Sequence, residues 1–520
     1  MRTKLRSMVD PDSAFSRYER IVLDTRERYE TFIRNGDAKP LLLWHALLPV
    51  ILLICALLIP SRRGGGSILR QILYVISLGI SAETIRYRRV LLGGNGYMVG
   101  LIMVWLLVWS STLLFFNNAE RDFRRIERVR SIKEKSPVGK QNGHTSSKKY
   151  GQDEVQRDAY TLVWQPYPRS FKHRLGWVLA LVLNMRGPDF SFRISSLDPL
   201  PSQLDPKNSP ADAVRAGPQS KSRIRAAFTC FFVAYLALDI LKLVVIWDPY
   251  FLGSVSATPP FPLEYLSIFP GLIRAYRSFV TGAAVYFALL FVTALNPICF
   301  LGLSTAFPKA SRALTATPLD APWLYTDQFG PITAILDDGL AGAWGKWWHQ
   351  IFRFGFVSTA KWFISFLPAS VSSQRIVRRI ITTLVAFGIS GLIHGSGSYT
   401  QLGENTRPVT GTFLFFILQA VGVFVQDLWA RAVVAQLTRS GLAPPRWLRR
   451  TGNVAFVLGW LFFSGYRIAD DFANGGMWLT EPLPFSLLRG LMGQGWLCWR
   501  APWFKYHDDG TFWGSGVRVM

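Results

Sequence analysis

IITTLVAFGISGLIHGSGSY, residues Ile380 to Tyr399, runs for 20 residues with no acidic or basic side chain except one histidine, His394. A helix needs about 20 mostly apolar residues to cross the hydrocarbon core of a bilayer, so this stretch predicts a transmembrane helix. Working outward by the same criterion, further spans are predicted at Leu41 to Ile59, Tyr97 to Phe116, Ala226 to Ile246, Phe279 to Leu303, Phe354 to Ser370, Gly411 to Ala430 and Asn453 to Ile468. Ile68 to Ile85 is interrupted by Arg70, Gln71 and Glu83 and reads as a ninth span, a re-entrant piece or an interfacial helix. The chain thus reads as an all-α polytopic membrane protein of about eight or nine transmembrane helices. One span more or fewer reverses the side of everything downstream, and basic residues flank both ends of the uncertain segment, so topology stays open.

Composition agrees. Of 520 residues, 50% are hydrophobic and 18% charged, against about 25% charged in soluble domains. Disordered, collagen-like and disulfide-scaffold classes are excluded, and the four scattered cysteines (Cys55, Cys230, Cys299, Cys498) form no zinc pattern. The formal charge of +25 gathers beside apolar runs, as at Arg62, Arg63, Arg86, Arg88 and Arg89, which points to an anionic membrane surface rather than nucleic acid. The charged start lacks the apolar core of a cleavable signal peptide, so the first span is expected to act as the anchor. The chain divides into a polar N-terminal segment (1–40), N-terminal spans (41–116), a long polar loop (117–225), a core (226–483) and a Trp-rich tail (484–520). Within the loop, Ser136 to Glu154 reads as flexible. Arg169 to Leu183 has the spacing of an amphipathic helix lying on the membrane, or of part of a small packed loop domain.

An ionisable group inside a span is expensive and marks a functional site or a polar path. His394 fits that description, with Ser390 and Ser398 on its helical face able to hold one ring nitrogen and leave the other as a base. The glycines around it (Gly388, Gly391, Gly395, Gly397) fit close helix packing equally well. In WGKWWHQIFR (Trp344 to Arg353), Lys346, His349 and Arg353 recur at i, i+3, i+7. That stripe suits a phosphate-rich ligand or an aromatic belt with snorkelling cations. Asp239 and Lys242, at i, i+3, are placed to neutralise each other, and Gln426 and Asp427 read as structural. No GxSxG elbow, GxGxxG loop, P-loop or HxxxD motif occurs, which weighs against hydrolases, nucleotide-driven pumps and dehydrogenases. No fixed-period repeat and no pair of broken spans supports a transporter built from repeats.

Taken in order, these stretches resemble the membrane-bound O-acyltransferase (MBOAT) superfamily, and within it the fungal proteins with a wax-synthase-like domain that act as acetyltransferases of secondary metabolism. WQPYPRSFKHRLGWVLALVLNMRG (Trp164 to Gly187) is similar to that branch's loop signature, and YLALDILKLVVIWDPYF (Tyr235 to Phe251) to the span after it. FGPITAILDDGL (Phe329 to Leu340) leads into WGKWWHQIFR and FGISGLIHGSGSY (Phe387 to Tyr399), and WFKYHDDGTFWGSGVRV (Trp503 to Val519) is similar to the family's Trp-Ser-Gly ending. The likeness covers Trp164 to the C-terminus; the N-terminal spans match only in kind.

The resemblance implies a helical bundle enclosing a catalytic tunnel, with the wax-synthase-like core over 226–483. It places the superfamily's membrane histidine on His394. The polar residue of the Trp-rich motif falls on His349, where many members have Asn, and Ala343 stands where an aromatic is usual. The implied activity is transfer of an acetyl group from acetyl-CoA, a co-substrate, to a hydroxyl of a lipophilic terpenoid or meroterpenoid, with no bound cofactor and no metal. His394 is the expected base and His349 the oxyanion or thioester partner, with Gln350 a lesser candidate and Lys346 and Arg353 for the coenzyme A phosphates. The expected location is the endoplasmic reticulum membrane. Within the class the alternative is a long-chain acyl-CoA:alcohol acyltransferase making wax or sterol esters. From other classes the rivals are a transporter, in which His394 and Asp239 line a path, and a silent scaffold.

Overall fold

The computed structural model describes residues 11–60, 66–130, 160–201, 203–204, 216–440 and 445–520; the whole stretch expected to be flexible, Ser136 to Glu154 with His144, lies outside them. The principal helices are α1 (Pro11–Asn35), α2 (Leu43–Leu58), α3 (Gly66–Tyr87), α4 (Tyr97–Ser111, continued by a π-turn to Phe116), α5 (Phe171–Leu183), α6 (Ala216–Trp247), α7 (Pro270–Asn296), α8 (Thr333–Gly342), α9 (Arg353–Ser365), α10 (Arg375–Thr400), α11 (Leu414–Arg439) and α12 (Arg446–Asn474). Strand β1 (Arg125–Arg130) pairs antiparallel with β2 (Tyr160–Gln165), and β3 (Phe504–His507) with β4 (Gly516–Val519).

Among the described residues six helices are long and apolar enough to cross a membrane: 66–87, 97–116, 220–247, 270–306, 375–400 and 408–437. The all-α polytopic class holds, and the expected eight or nine spans fall to six with shorter companions. The uncertain segment is one of the six. Its interruptions are neutralised, since Arg70 pairs with Glu120 and Glu83 with Arg88 at 2.8 Å. The predicted first span is only the 16-residue α2. The predicted span at Phe354 stops at Ser365 after 13 residues, followed by Pro368, which disfavours helix at the residue before it. Asn453 to Ile468 lies within the 29-residue α12, whose ends carry Arg446, Arg449, Arg450, Arg467, Asp470 and Asp471.

The packing centres on α10, which lies against α4, α9 and α11. Contact with α4 is backbone to backbone: a Cβ at Gly100 would stand 2.0 Å from the Ser396 carbonyl oxygen, and one at Gly397 would stand 2.8 Å from the Tyr97 ring. The glycines beside His394 therefore do serve close packing, and that packing builds the site.

The expected amphipathic helix is α5, and its apolar face turns inward rather than toward lipid. Trp177, Val178 and Leu181, all fully buried, pack with Trp105, Trp109, Phe190 and Ile393. Full burial of side chains of this kind stabilises by roughly 2 to 3 kcal/mol each, enough to seat the helix on the protein. Phe171 and Leu183 remain exposed on its other side.

Asp239 and Lys242 do not neutralise each other. The Asp239 carboxylate accepts from the Ser486 hydroxyl and from the Leu488 backbone N–H at 2.9 Å. Lys242 Nζ donates to the Trp478 carbonyl at 2.7 Å and lies 3.8 Å from Glu481. Both groups of α6 hold the segment after α12, whose backbone carbonyls at Trp478 and Thr480 and whose Ser486 hydroxyl and Leu488 N–H supply the partners.

Candidate active site

His394 sits six residues before the end of α10. Its ring stacks on Phe416 of α11, with centroids 4.6 Å apart and planes 12° from parallel. Nδ1 lies 2.6 Å from the hydroxyl of Tyr97, so the ring's partner is a tyrosine of α4 and not Ser390 or Ser398. Ser398 has a buried hydroxyl with no hydrogen-bond partner among the described residues. A serine arm on the same helix ends short of the ring, whereas a phenol from the facing helix spans the gap.

Tyr97 is 4% exposed, edge-on to Phe472 at 5.1 Å. The chain reaches it through four consecutive left-handed residues, Gly93, Gly94, Asn95 and Gly96, with φ of 73°, 71°, 55° and 94°. Three glycines make that turn accessible, since other L-residues pay a steric cost at positive φ. GGNG before a span is the sequence signal that could have singled Tyr97 out; a tyrosine at a span's start otherwise reads as an interfacial anchor.

His349 follows a π-turn, Ala343–Trp347, a distortion frequent at functional sites. Ala343 is buried at its start, and its carbonyl accepts from the Trp348 N–H at 2.7 Å. Gln350 clamps the turn, its Nε2 donating to the carbonyls of Trp344 and Trp348 at 3.0 and 2.6 Å. Arg353 braces it further, donating to Gln350 Oε1 at 2.8 Å and to the Gly345 carbonyl. Around the His349 ring stand Trp348, Phe352 and Phe329, at centroid distances of 5.5, 5.7 and 6.4 Å. Burial pushes the imidazole down to about 4, and the Arg186 guanidinium adds to the shift. His349 Nδ1 is buried with no hydrogen-bond partner among the described residues.

The two histidines meet. They do so through a chain of rings: Trp348 lies 5.5 Å from His349 and 5.9 Å from Trp344, and Trp344 leans at 6.1 Å on Phe416, the ring under His394. Lys346 stands apart, 64% exposed and paired with Asp338 at 2.7 Å. Of the polar residues expected to serve the donor, Lys346 alone faces outward, while Arg353, expected at the coenzyme A phosphates, and Gln350, the lesser candidate beside His349, are engaged within the turn. Arg186, in the loop signature, was not anticipated. It donates to Gln328 Oε1 at 3.2 Å and to the Asp327 carbonyl at 3.0 Å, tying that loop to the segment in front of α8.

A polytopic helical protein with two histidines brought together in an aromatic-walled site is the class defined so far. Residues 325–418, which contain both histidines, match the model of the membrane bound O-acyl transferase family. The chain is 29% identical over 304 residues to an O-Mevalon transferase of Aspergillus niger, covering 56% of this chain and 60% of that protein. It is 26% identical over 212 residues to an O-Mevalon transferase of Penicillium terrestre, covering 38% and 45%. With an acetyltransferase of an Arthrinium species the identity is 26% over 349 residues, covering 63% and 72%. The chain thus spans 60% or less of the first two relatives' length. No solved structure matches. The resemblance carried by the motifs is borne out to that extent: the stretch holding both histidines fits the family's model, and these relatives are named transferases.

Proposed function

We propose that the protein is an acyl-CoA-dependent O-acyltransferase of a cellular membrane, the endoplasmic reticulum, moving an acetyl group from acetyl-CoA to a hydroxyl of a lipophilic terpenoid or meroterpenoid. The observation that carries this reading is that one cluster of aromatic rings joins His394 and His349 within the family-matched stretch. The acceptor oxygen attacks the thioester carbonyl while His394 takes the hydroxyl proton, a contribution of about 10²- to 10⁴-fold. The C–O bond forms and the C–S bond breaks. The thiolate leaves with the proton returned by the imidazolium, giving ester and free thiol. His349, held neutral, has one N–H to donate to the developing oxyanion. Lys346, exposed at the motif's edge, is the candidate for a coenzyme A phosphate, and Gln350 and Arg353 serve by shaping the turn that carries His349.

A second reading has one specific support: two relatives are named O-Mevalon transferases rather than acetyltransferases, so in this reading the donor is an acyl-CoA other than acetyl-CoA, the class to which a long-chain donor giving a wax or sterol ester also belongs. The machinery is the same and the donor differs. Microsomes bearing wild type or His394→Ala, given acetyl-CoA or longer acyl-CoAs and a panel of hydroxylated terpenoids, separate the readings by thiol release and product mass. Acceptor-dependent thiol release with a matching acylated product, lower by at least about 100-fold in a normally inserted mutant, is expected. Wild-type turnover in the mutant would remove His394 as base. No reaction with any donor, together with uptake driven by a proton gradient, would move the assignment to a transporter.

A further inference from the structure

A neutral imidazole carries its proton on one nitrogen only, so a base needs its free nitrogen to be the one facing the substrate. We infer that Tyr97 is a positioning residue that holds His394 in the tautomer with the proton on Nδ1 and leaves Nε2 open to the acceptor hydroxyl; this rests on the acyl-transfer reading.

The geometry has three parts. Tyr97 Oη stands 2.6 Å from Nδ1; in the inferred tautomer the N–H donates and the phenolic oxygen accepts. The ring is kept from turning by its stack on Phe416. The phenol is kept from retreating by Phe472 at its edge and by the α4–α10 backbone contact at Gly100 and Gly397. When Nε2 receives the hydroxyl proton, the Nδ1–H bond becomes charge-assisted and roughly twice as strong. Tyr97 therefore stabilises the charged state more than the resting one, which is the condition for lowering a barrier. Tyr97 also lies outside the family-matched 325–418, so the N-terminal helices complete the site rather than merely anchor it.

The test uses the full-length protein in nanodiscs with nitrogen-15 histidine, the His394 signals being identified by their loss in His394→Gln. The wild type is expected to show Nδ1 protonated, and Tyr97→Phe a mixture shifted toward Nε2. Turnover should fall about 10- to 100-fold in Tyr97→Phe, the cost of losing a hydrogen bond to a charged group, with KM for the acyl donor unchanged. Gly388→Ala changes the helix that carries His394 without touching a neighbour and keeps the hydroxyl, and should retain the wild-type tautomer. A proton on Nε2 in the wild type, with Tyr97 donating instead, overturns the inference, as does full turnover in Tyr97→Phe. An Nδ1 proton lost in Tyr97→Phe, in a wild type that acylates nothing, sinks the acyl-transfer reading and keeps the tautomer assignment.

Discussion

The neutrality of His349 has a cost that pH reveals. A histidine in an unfolded chain takes its proton near about 6.5, whereas burial and Arg186 hold this one down to about 4. Between those values the unfolded state binds more protons, so the contribution is complete above about 6.5 and is lost as pH falls toward 4. At full extent it is on the order of 3 kcal/mol. His349→Gln removes the titration. Melting temperatures in nanodiscs from pH 7 to 4.5 should therefore fall more steeply for wild type than for the variant, and parallel curves would show that the ring is not held neutral. At this scale the two histidines were legible from sequence, because an imidazole in or beside an apolar run is costly enough to need a reason. Tyr97 and Arg186 were not, because their meaning lies in what they touch, 297 residues away for Tyr97 and 142 for Arg186 with Gln328.

Among the elements, the α4–α10 contact makes two glycines unequal. A methyl at Gly100 meets a backbone carbonyl that moves only if α10 moves, so Gly100→Ala should destabilise by at least about 2 kcal/mol and lower turnover by shifting His394. Gly388 has nothing within 4 Å of an added Cβ, so Gly388→Ala should be neutral or stabilise by up to about 1 kcal/mol through helix propensity. Thermal stability and thiol release on the two variants check both; equal effects would mean that the close approach is not rigid. The long helices were readable from apolar length alone. The shorter α2 and α9 were overestimated because an apolar run does not stop where its helix does: Leu41 and Leu42 lie buried before α2, and Phe366 and Leu367 continue the run past the end of α9. Likewise α5 carries a membrane-surface pattern because the same pattern buries a helix against tryptophans.

For the molecule as a whole, Asp239 and Lys242 fasten the segment after α12 to α6 through separate partners. Removing either partner of a buried charged contact costs about 3 to 5 kcal/mol, and Asp239→Ala should expose residues 484–499 to protease. Because both groups hold one segment, and Arg489 joins the Glu481 beside Lys242 to the Ser486 on Asp239, the losses in Asp239→Ala and Lys242→Ala should fall short of additive by about 0.5 kcal/mol or more in the double variant; strict additivity would show two independent fastenings.

The hydrogen bond between Tyr97 and His394 joins positions 297 residues apart. At about 5 to 20 residues per second, a ribosome finishes α4 roughly 15 to 60 seconds before it finishes the helix that carries the imidazole. During that interval the nascent chain displays a phenol with nothing to orient. A site that needs both rings is therefore completed only late in synthesis, once the chain has been made as far as Thr400, and a chain arrested earlier lacks it.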